Sequence, residues 1–355
     1  MKRFLLLLKN EFRMFRTALT IHLIAVLQPT LMYILMAVIM VEPTFDMVIA
    51  QPQIALGEDL LVAMEQVGSP IGPPYINPIL IPEADPGYPQ LIEVFNQDGQ
   101  PTVLQRYGTI DSNLVKNFRN RLTTAALILW NQELAPQAIR IHEHPWLPVD
   151  VPYNVYFGMA MMPLAAYLAA AMIGGYLMAL EFEQGTILEY RLCPASPLLI
   201  LAARITRLLI TGLFAATFLY LALGLLTGIW ASNVVPVFSI MVPLTLIAAS
   251  IGLLAGLMLR KSLPSFLIAL SSAFGFWLLG SGFGLAAGFS QTFEDISRLI
   301  PNTPTIELMF PYFYFGREVA ASSPPSSCLQ LAGTCIVLLV FVLYAYQRRV
   351  LAKQR

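Results

Sequence analysis

The sequence predicts an all-α polytopic membrane protein. It has six transmembrane helices, an amphipathic N-terminal helix and a small α+β external domain inserted between spans 1 and 2. Three observations predict this. The chain is 57% hydrophobic and only 12% charged, against roughly 25% charged in soluble domains, and its mean hydropathy is +0.68. Uncharged apolar runs of spanning length occur at 19–41, 155–180, 208–230, 237–259, 264–287 and 329–347. Lysines and arginines gather on alternate connections between these runs. In lipid the backbone must satisfy its own polar groups, so such runs are helices. Barrel strands would be shorter and would alternate in polarity.

Residues 1–17 carry Lys2, Lys9, Arg13 and Arg16 on one helical face and Phe4, Leu8, Phe12 and Phe15 on another. This spacing predicts an interfacial helix on the cytoplasmic leaflet. The apolar run Phe4–Leu8 is too short for a cleavable signal peptide. The first transmembrane helix (18–42) contains Pro29, which predicts a kink, and His22 near its start, where a packed residue is expected rather than a ligand.

Residues 43–150 form the extracytoplasmic insert. Its first half is dense in proline, from Pro70 to Pro89, and reads as loops with a short helix near 58–66. In its second half 91–95 and 102–107 are strand-like. Asp111 or Ser112 can cap a helix running to about 134, and 138–142 reads as a returning strand. His142 and His144 share one strand face, but two ligands are too few for a defined metal site. No metal or other cofactor is expected on this chain.

Residues 151–355 hold spans 2–6. Span 2 is rich in Ala and Gly. Gly252 and Gly256 in span 4, and Gly280 and Gly284 at the end of span 5, recur every fourth residue, a spacing that lets helices approach closely in lipid. The segment 288–321 combines Pro301, Pro304 and Pro311 with the cluster Phe310 and 312–315. It reads as outer re-entrant or interfacial helices, since aromatics collect at the membrane–water boundary. Cys193, Cys328 and Cys335 form no disulfide framework.

Between spans 2 and 3 lies 181–207, too polar to cross and too short to be a domain. Glu181 and Glu183 stand where span 2 leaves the membrane, at a point where a carboxylate reaches water without a buried partner. Gly185 removes a side chain beside them and Thr186 can cap a following short helix. Pro194 and Pro197 end that helix. Glu189, Arg191, Arg204 and Arg207 indicate further helix near the surface.

Short-loop cations set orientation. The N-terminal flank, the 181–207 loop, Arg260-Lys261 and the tail with Arg348, Arg349, Lys353 and Arg355 all fall on one side. This places both termini in the cytoplasm of a multi-pass protein of the plasma or inner membrane. Formal net charge is zero, and nothing points to nucleic acid. No span has a charged residue at its centre, as an ion-driven transporter needs. No protease or transferase constellation assembles, and no G-x-x-x-x-G-K-S/T loop is present, so the chain is not read as an enzyme.

The stretch E-F-E-Q-G-T-I-L-E-Y-R-L-C-P-A-S-P resembles the E-x-E-x-G-T-x-E…P-x-S pattern of ABC-2 (type-2 exporter) permease subunits. Glu181, Glu183, Gly185, Thr186, Pro194 and Ser196 match it. The start L-K-N-E-F-R-M-F-R is similar to that family's elbow helix. W-L-L-G-S-G-F, I-S-R-L-I-P and F-G-R-E are similar to its fifth span and outer re-entrant segment. The large 43–150 insert resembles the subgroup with an external domain there. The third acid, Glu189, comes later than usual, and His144-Pro145 stands where Asn-Pro is common.

The resemblance implies a half-transporter that pairs with a second permease, identical or different, in membrane lipid. It implies separate cytoplasmic ATPase subunits that carry the ATP and Mg. Glu181, Glu183, Gly185, Thr186, Glu189, Pro194, Ser196 and Pro197 would form the loop coupled to the ATPase. The cargo would be a lipophilic drug, lipid, peptide or glycan. The competing reading is a non-transporting sensor or envelope-assembly scaffold that works through the external domain.

Overall fold

Helix α5 (Tyr153–Glu183) is the axis of the membrane unit, and its sequence explains why. Its many alanines, with Gly158, Gly174 and Gly175, leave little side chain in the way, and small residues let neighbouring helices approach closely in lipid. Its most apolar window is entirely buried, with α2 (Leu19–Ile39), α7 (Pro197–Thr227), α8 (Val234–Leu259) and α9 (Ser262–Leu279) packed about it. The computed structural model describes residues 2–13, 18–39, 45–51, 53–68, 74–83, 90–107, 112–133, 151, 153–192, 195–284, 291–314 and 325–351. The chain divides into Met1–Met40 with Tyr153–Arg355, and Val41–Pro152. Six described helices are long and apolar enough to cross a membrane: α2, α5, α7, α8, α9 and α12 (Pro325–Tyr346).

Small residues set how close the helices come. A methyl on Gly252 of α8 would lie 2.8 Å from Ala171 Cα of α5, and one on Gly256 would lie 2.6 Å from Met178 Cβ. Gly175 faces the carbonyls of Gly252 and Ser265, where a Cβ would stand 3.2 Å from each. Gly212 of α7 meets Ala166 O in the same way, at 2.7 Å. The Gly252/Gly256 pair therefore makes a seam within one chain, between α5 and α8.

Gly280 and Gly284 do something else. Helix α9 ends at Leu279, and Ser281 takes a left-handed φ of 67°. The four-residue spacing is thus broken by a turn and makes no helix–helix groove. Gly280 lies instead against Asn302 and Ile300, and Asn302 Nδ2 donates to its carbonyl at 2.6 Å.

Beyond α9, α10 (Gln291–Arg298) leads into α11 (Asn302–Tyr314). Helix α11 is largely buried and packs against α8, α12 and α5. Its buried polar groups are satisfied locally. Ser297 and Thr303 hydroxyls bond at 2.8 Å, and Thr305 donates to Pro301 O at 2.8 Å. Burial raises the pKa of Glu307, while Ser327 Oγ donates to its carboxylate at 3.3 Å. An aromatic belt closes this end, with Trp277 against Phe283 at 4.8 Å and against Phe157 at 5.6 Å. Tyr156 donates to Ser281 O and Tyr314 to Val155 O. The α7–α8 turn joins through Ser232 N to Phe313 O.

The second unit holds a four-stranded sheet in the order β2-β1-β3-β4, from β1 (Phe45–Ala50), β2 (Ile76–Ile81), β3 (Gln90–Gln97) and β4 (Gln100–Tyr107). Strand β1 pairs in parallel with β2 and β3, while β3 and β4 form an antiparallel hairpin. The hairpin turns at Asp98-Gly99, with φ of 54° and 81°, as a type I′ turn requires. Helices α3 (Ala55–Glu65) and α4 (Ser112–Glu133) supply Leu60, Met64 and Phe118 to a core with Met47, Ile49 and Ile92. Burial lowers the pKa of Arg121, whose guanidinium lies 4.1 Å over the Phe45 ring.

The proline-dense first half of this segment is not all loop, because it contributes β1 and β2. Strand β2 tolerates Pro78 because it is an edge strand and needs no inner ladder donor there. Residues 138–142, with His142, and also His144, lie outside the described residues.

The packing distances predict unequal effects of equal substitutions. Gly252→Leu overfills the α5–α8 seam and should cost about 1–3 kcal/mol or more, read as a lower melting temperature of the detergent-purified protein. Gly275→Leu, where a Cβ meets nothing within 4 Å, should melt like the parent. Equal melting of the two variants would refute the seam.

Candidate functional site: the charged end of the membrane unit

Arg204 and Arg207 stand one turn apart on α7, so they share a helix face. That face meets the C-terminal end of α5 and the helix α1 (Lys2–Arg13). Both arginines are buried, with 4% and 3% exposure. Arg204 Nη2 donates to both carboxylate oxygens of Glu181, at 2.7 and 2.6 Å. Its Nε lies 3.3 Å from Glu11 Oε1, and Nη1 contacts Met178 Sδ at 3.0 Å. Arg207 Nη1 reaches Glu11 Oε2 at 3.3 Å and Nη2 reaches His22 Nε2 at 2.9 Å. His22 Nδ1 bonds Ala18 O at 2.8 Å. The ring therefore donates through Nδ1 and accepts from the guanidinium through Nε2.

Two carboxylates and two guanidiniums thus form a formally neutral cluster. Each ion would be costly to bury alone, and pairing with good geometry offsets the desolvation. The adjoining cavity is about 10 Å³, the size of one water. Charge here is therefore balanced by protein, and the cluster fastens α1, α2, α5 and α7 together. The Arg204 guanidinium also lies 5.8 Å from the ring centre of buried Tyr346.

The loop departs from this clamp. Glu183, two residues on, is exposed, and its carboxylate accepts from Ser262 N at 3.0 Å. That amide is an orphan donor at the start of α9, and a carboxylate there also suits the helix dipole. Gly185 then turns the chain with φ of 73°, and a Cβ would meet nothing within 4 Å. Its conformation, not a lack of space, is what calls for glycine. Thr186 Oγ1 points back to Glu181 O, at 3.5 Å, and does not cap the next helix. Helix α6 (Ile187–Leu192) starts with backbone bonds Leu188 N to Gly185 O and Glu189 N to Thr186 O. Ile187 is buried, while Leu188 and Glu189 are exposed.

Ser196 caps α7 by accepting from Leu199 N at 3.3 Å, with Pro197 in the first turn. Pro197 therefore opens the third span and does not close the short helix. Cys193 and Pro194 lie outside the described residues. The 260–261 turn lies at this same end, through Glu183 and through Arg260 over Phe182 at 5.2 Å. So does the tail, whose π-helical turn (Gln347–Leu351) packs on α6, with Arg349 donating to Leu257 O at 3.4 Å.

Sequence reasoning placed Glu181, Arg204 and Arg207 near water, and the structure corrects this. Glu181 is 4% exposed and ion-paired. Glu11 was missed altogether. It is the buried residue of α1, while Phe12, assigned to the apolar face, is 38% exposed. A signal existed, because Glu11 continues the Phe4–Leu8 row at helical spacing. A carboxylate in an apolar stripe asks for a buried cation. Glu181, Glu183, Gly185 and Thr186 converge on the α5 terminus. Gly252 and Gly256 lie further along the same α5 axis, and Gly280 is at the aromatic end.

Compared with known proteins, residues 76–344, more than half of the chain, match the family described as ABC-2 family transporter protein. None of the curated proteins matches the chain.

Removing one member of the cluster should be worse than removing a pair. Arg204→Met leaves Glu181 uncompensated and should destabilise the protein by roughly 3–5 kcal/mol. Combining it with Glu181→Gln should restore a good part of the melting temperature. A double variant no more stable than Arg204→Met would show that the two residues are not energetically coupled.

Proposed function

The chain belongs to the ABC-2 family of transporter proteins, and we propose that it is the permease subunit of an ATP-driven exporter of a lipophilic drug, lipid, peptide or glycan. In this reading two permease chains form the pathway, and separate cytoplasmic ATPase subunits bind the charged end. The observation that carries it is the clamp at Glu181. The 184–196 connection leaves α5 from an ion pair and is held again by Glu183 on α9 and by the Ser196 cap on α7. A connection fixed at these points transmits displacement, whereas a slack one absorbs it. Exposed Leu188 and Glu189 then offer a partner an apolar and an acidic contact.

Orientation follows from charge. The end with α1, 184–196 and 260–261 carries Lys2, Arg3, Lys9, Arg13, Arg260 and Lys261, joined by Arg348 and Arg349 of the tail. The 228–233 turn at the opposite end has no charge. Cationic short connections stay in the cytoplasm, which puts both termini inside the plasma or inner membrane and residues 43–150 outside. In a variant without native cysteines, Asp59→Cys and Asp295→Cys should react with an impermeant thiol reagent added to intact cells. Gln184→Cys and Lys261→Cys should react only after lysis. The reverse pattern would invert the assignment.

Energy coupling is tested on the complex. The tagged chain purified from native membranes should bring down an ATPase subunit. Freed of that subunit, it should hydrolyse no ATP. Gly185→Val forces a β-branched residue into left-handed backbone, at about 1–2 kcal/mol or more. It should insert normally yet lose most substrate-stimulated hydrolysis, while Gly185→Asn, which tolerates that conformation, keeps more. Full stimulation in Gly185→Val would reduce the loop to a connector.

A further inference from the structure

We propose that the membrane unit carries a binding site for an anionic glycerophospholipid, in the groove between α1, α2 and α7. The groove is open and measures about 1140 Å³. Its walls are apolar side chains turned outward: Leu23 is 45% exposed, Phe214 53% and Phe218 41%, with Leu27 beside them. Its rim is Lys9 and Arg13, four residues apart on α1 and so on one helix face. No carboxylate lines it. Among the described residues neither cation has an ion-pair partner.

The missing counter-charge is what identifies the occupant. The acid of α1, Glu11, is turned inward and committed to Arg204 and Arg207. Helix α1 therefore presents only positive charge to the groove. The groove floor needs nothing from a ligand: Thr211 Oγ1 donates to Arg207 O, and His22 bonds Ala18 O and Arg207. A solute fitting this surface carries negative charge at the α1 end and hydrocarbon along α2 and α7. Ile210 to Phe218 spans about 12 Å along α7, at 1.5 Å per residue, enough for the upper part of an acyl chain. The phosphate of a leaflet phospholipid would sit between the Lys9 ammonium and the Arg13 guanidinium. Its chain would lie against Phe214 and Phe218, whose rings pack edge to face at 5.2 Å. This lipid is a resident of the fold, and its binding does not depend on what the chain transports.

The test is native mass spectrometry of the intact purified protein released from nanodiscs of mixed phosphatidylglycerol and phosphatidylcholine. The parent should retain phosphatidylglycerol in preference. Lys9→Gln with Arg13→Gln should lose that preference roughly thirtyfold, as expected for two interfacial cations. Lys2→Gln with Arg3→Gln, on the same helix but off the groove, should keep it. Leu23→Trp, at an exposed wall position, should lower retention of both lipids without lowering the melting temperature. A parent without headgroup preference overturns the proposal. So does a Lys9/Arg13 variant that keeps the preference, equal loss in the Lys2/Arg3 variant, or unchanged retention in Leu23→Trp.

Discussion

Four ions buried at one end of a membrane protein must neutralise each other or be expelled, and most of the architecture at that end follows from how they do it. Arg204 binds Glu181 through both carboxylate oxygens and shares Glu11 with Arg207. Each ion belongs to a different helix from its partner. Moving α1, α5 or α7 against the others would therefore strand a charge in a poorly solvated place, at several kcal/mol. The cluster constrains three helices at once, and His22 adds α2. Such a node permits rigid movement and resists local give at the root of the connection that follows α5.

The axis above the node is built by the opposite means. Helix α5 has no ions along its length until Glu181. It is held by shape, with Gly175, Gly212, Gly252 and Gly256 bringing backbones within reach of each other. In lipid, where hydrophobic burial gives little drive for helix association, close van der Waals contact takes its place. At the far end, rings and tyrosine hydroxyls on α5, α9 and α11 complete the packing. A displacement at Glu181 thus enters a helix gripped along its whole length.

The spans were legible because hydropathy over twenty residues is a local property, and strands β3 and β4 because branched and aromatic residues gather at 91–95 and 102–107. Strand β2 was hidden by Pro78, whose edge-strand position cannot be read in one dimension, and the six-residue β1 by Pro43 and Pro52 on either side of it. The glycine row at 280 and 284 misled because periodicity does not reveal that a helix has stopped at Leu279. The ion cluster was the least legible feature. Glu11 and Arg207 are 196 residues apart, and only their odd placement, a carboxylate in an apolar stripe and two arginines at the foot of a span, hints that each needs the other.

That separation also sets an order of events during synthesis. Glu181 and Arg204 are 23 residues apart and can meet as soon as α7 has emerged. Glu11 and His22 are made far earlier, and their guanidinium partners do not yet exist. At about 5–20 residues per second, the N-terminal helix waits on the order of ten seconds or more for Arg207. Until then its carboxylate must remain at the water boundary, and α1 can be drawn into its final seat only after the third span arrives. Helix α1, made before any of the six spans, is thus among the last parts of the membrane unit to be locked in place.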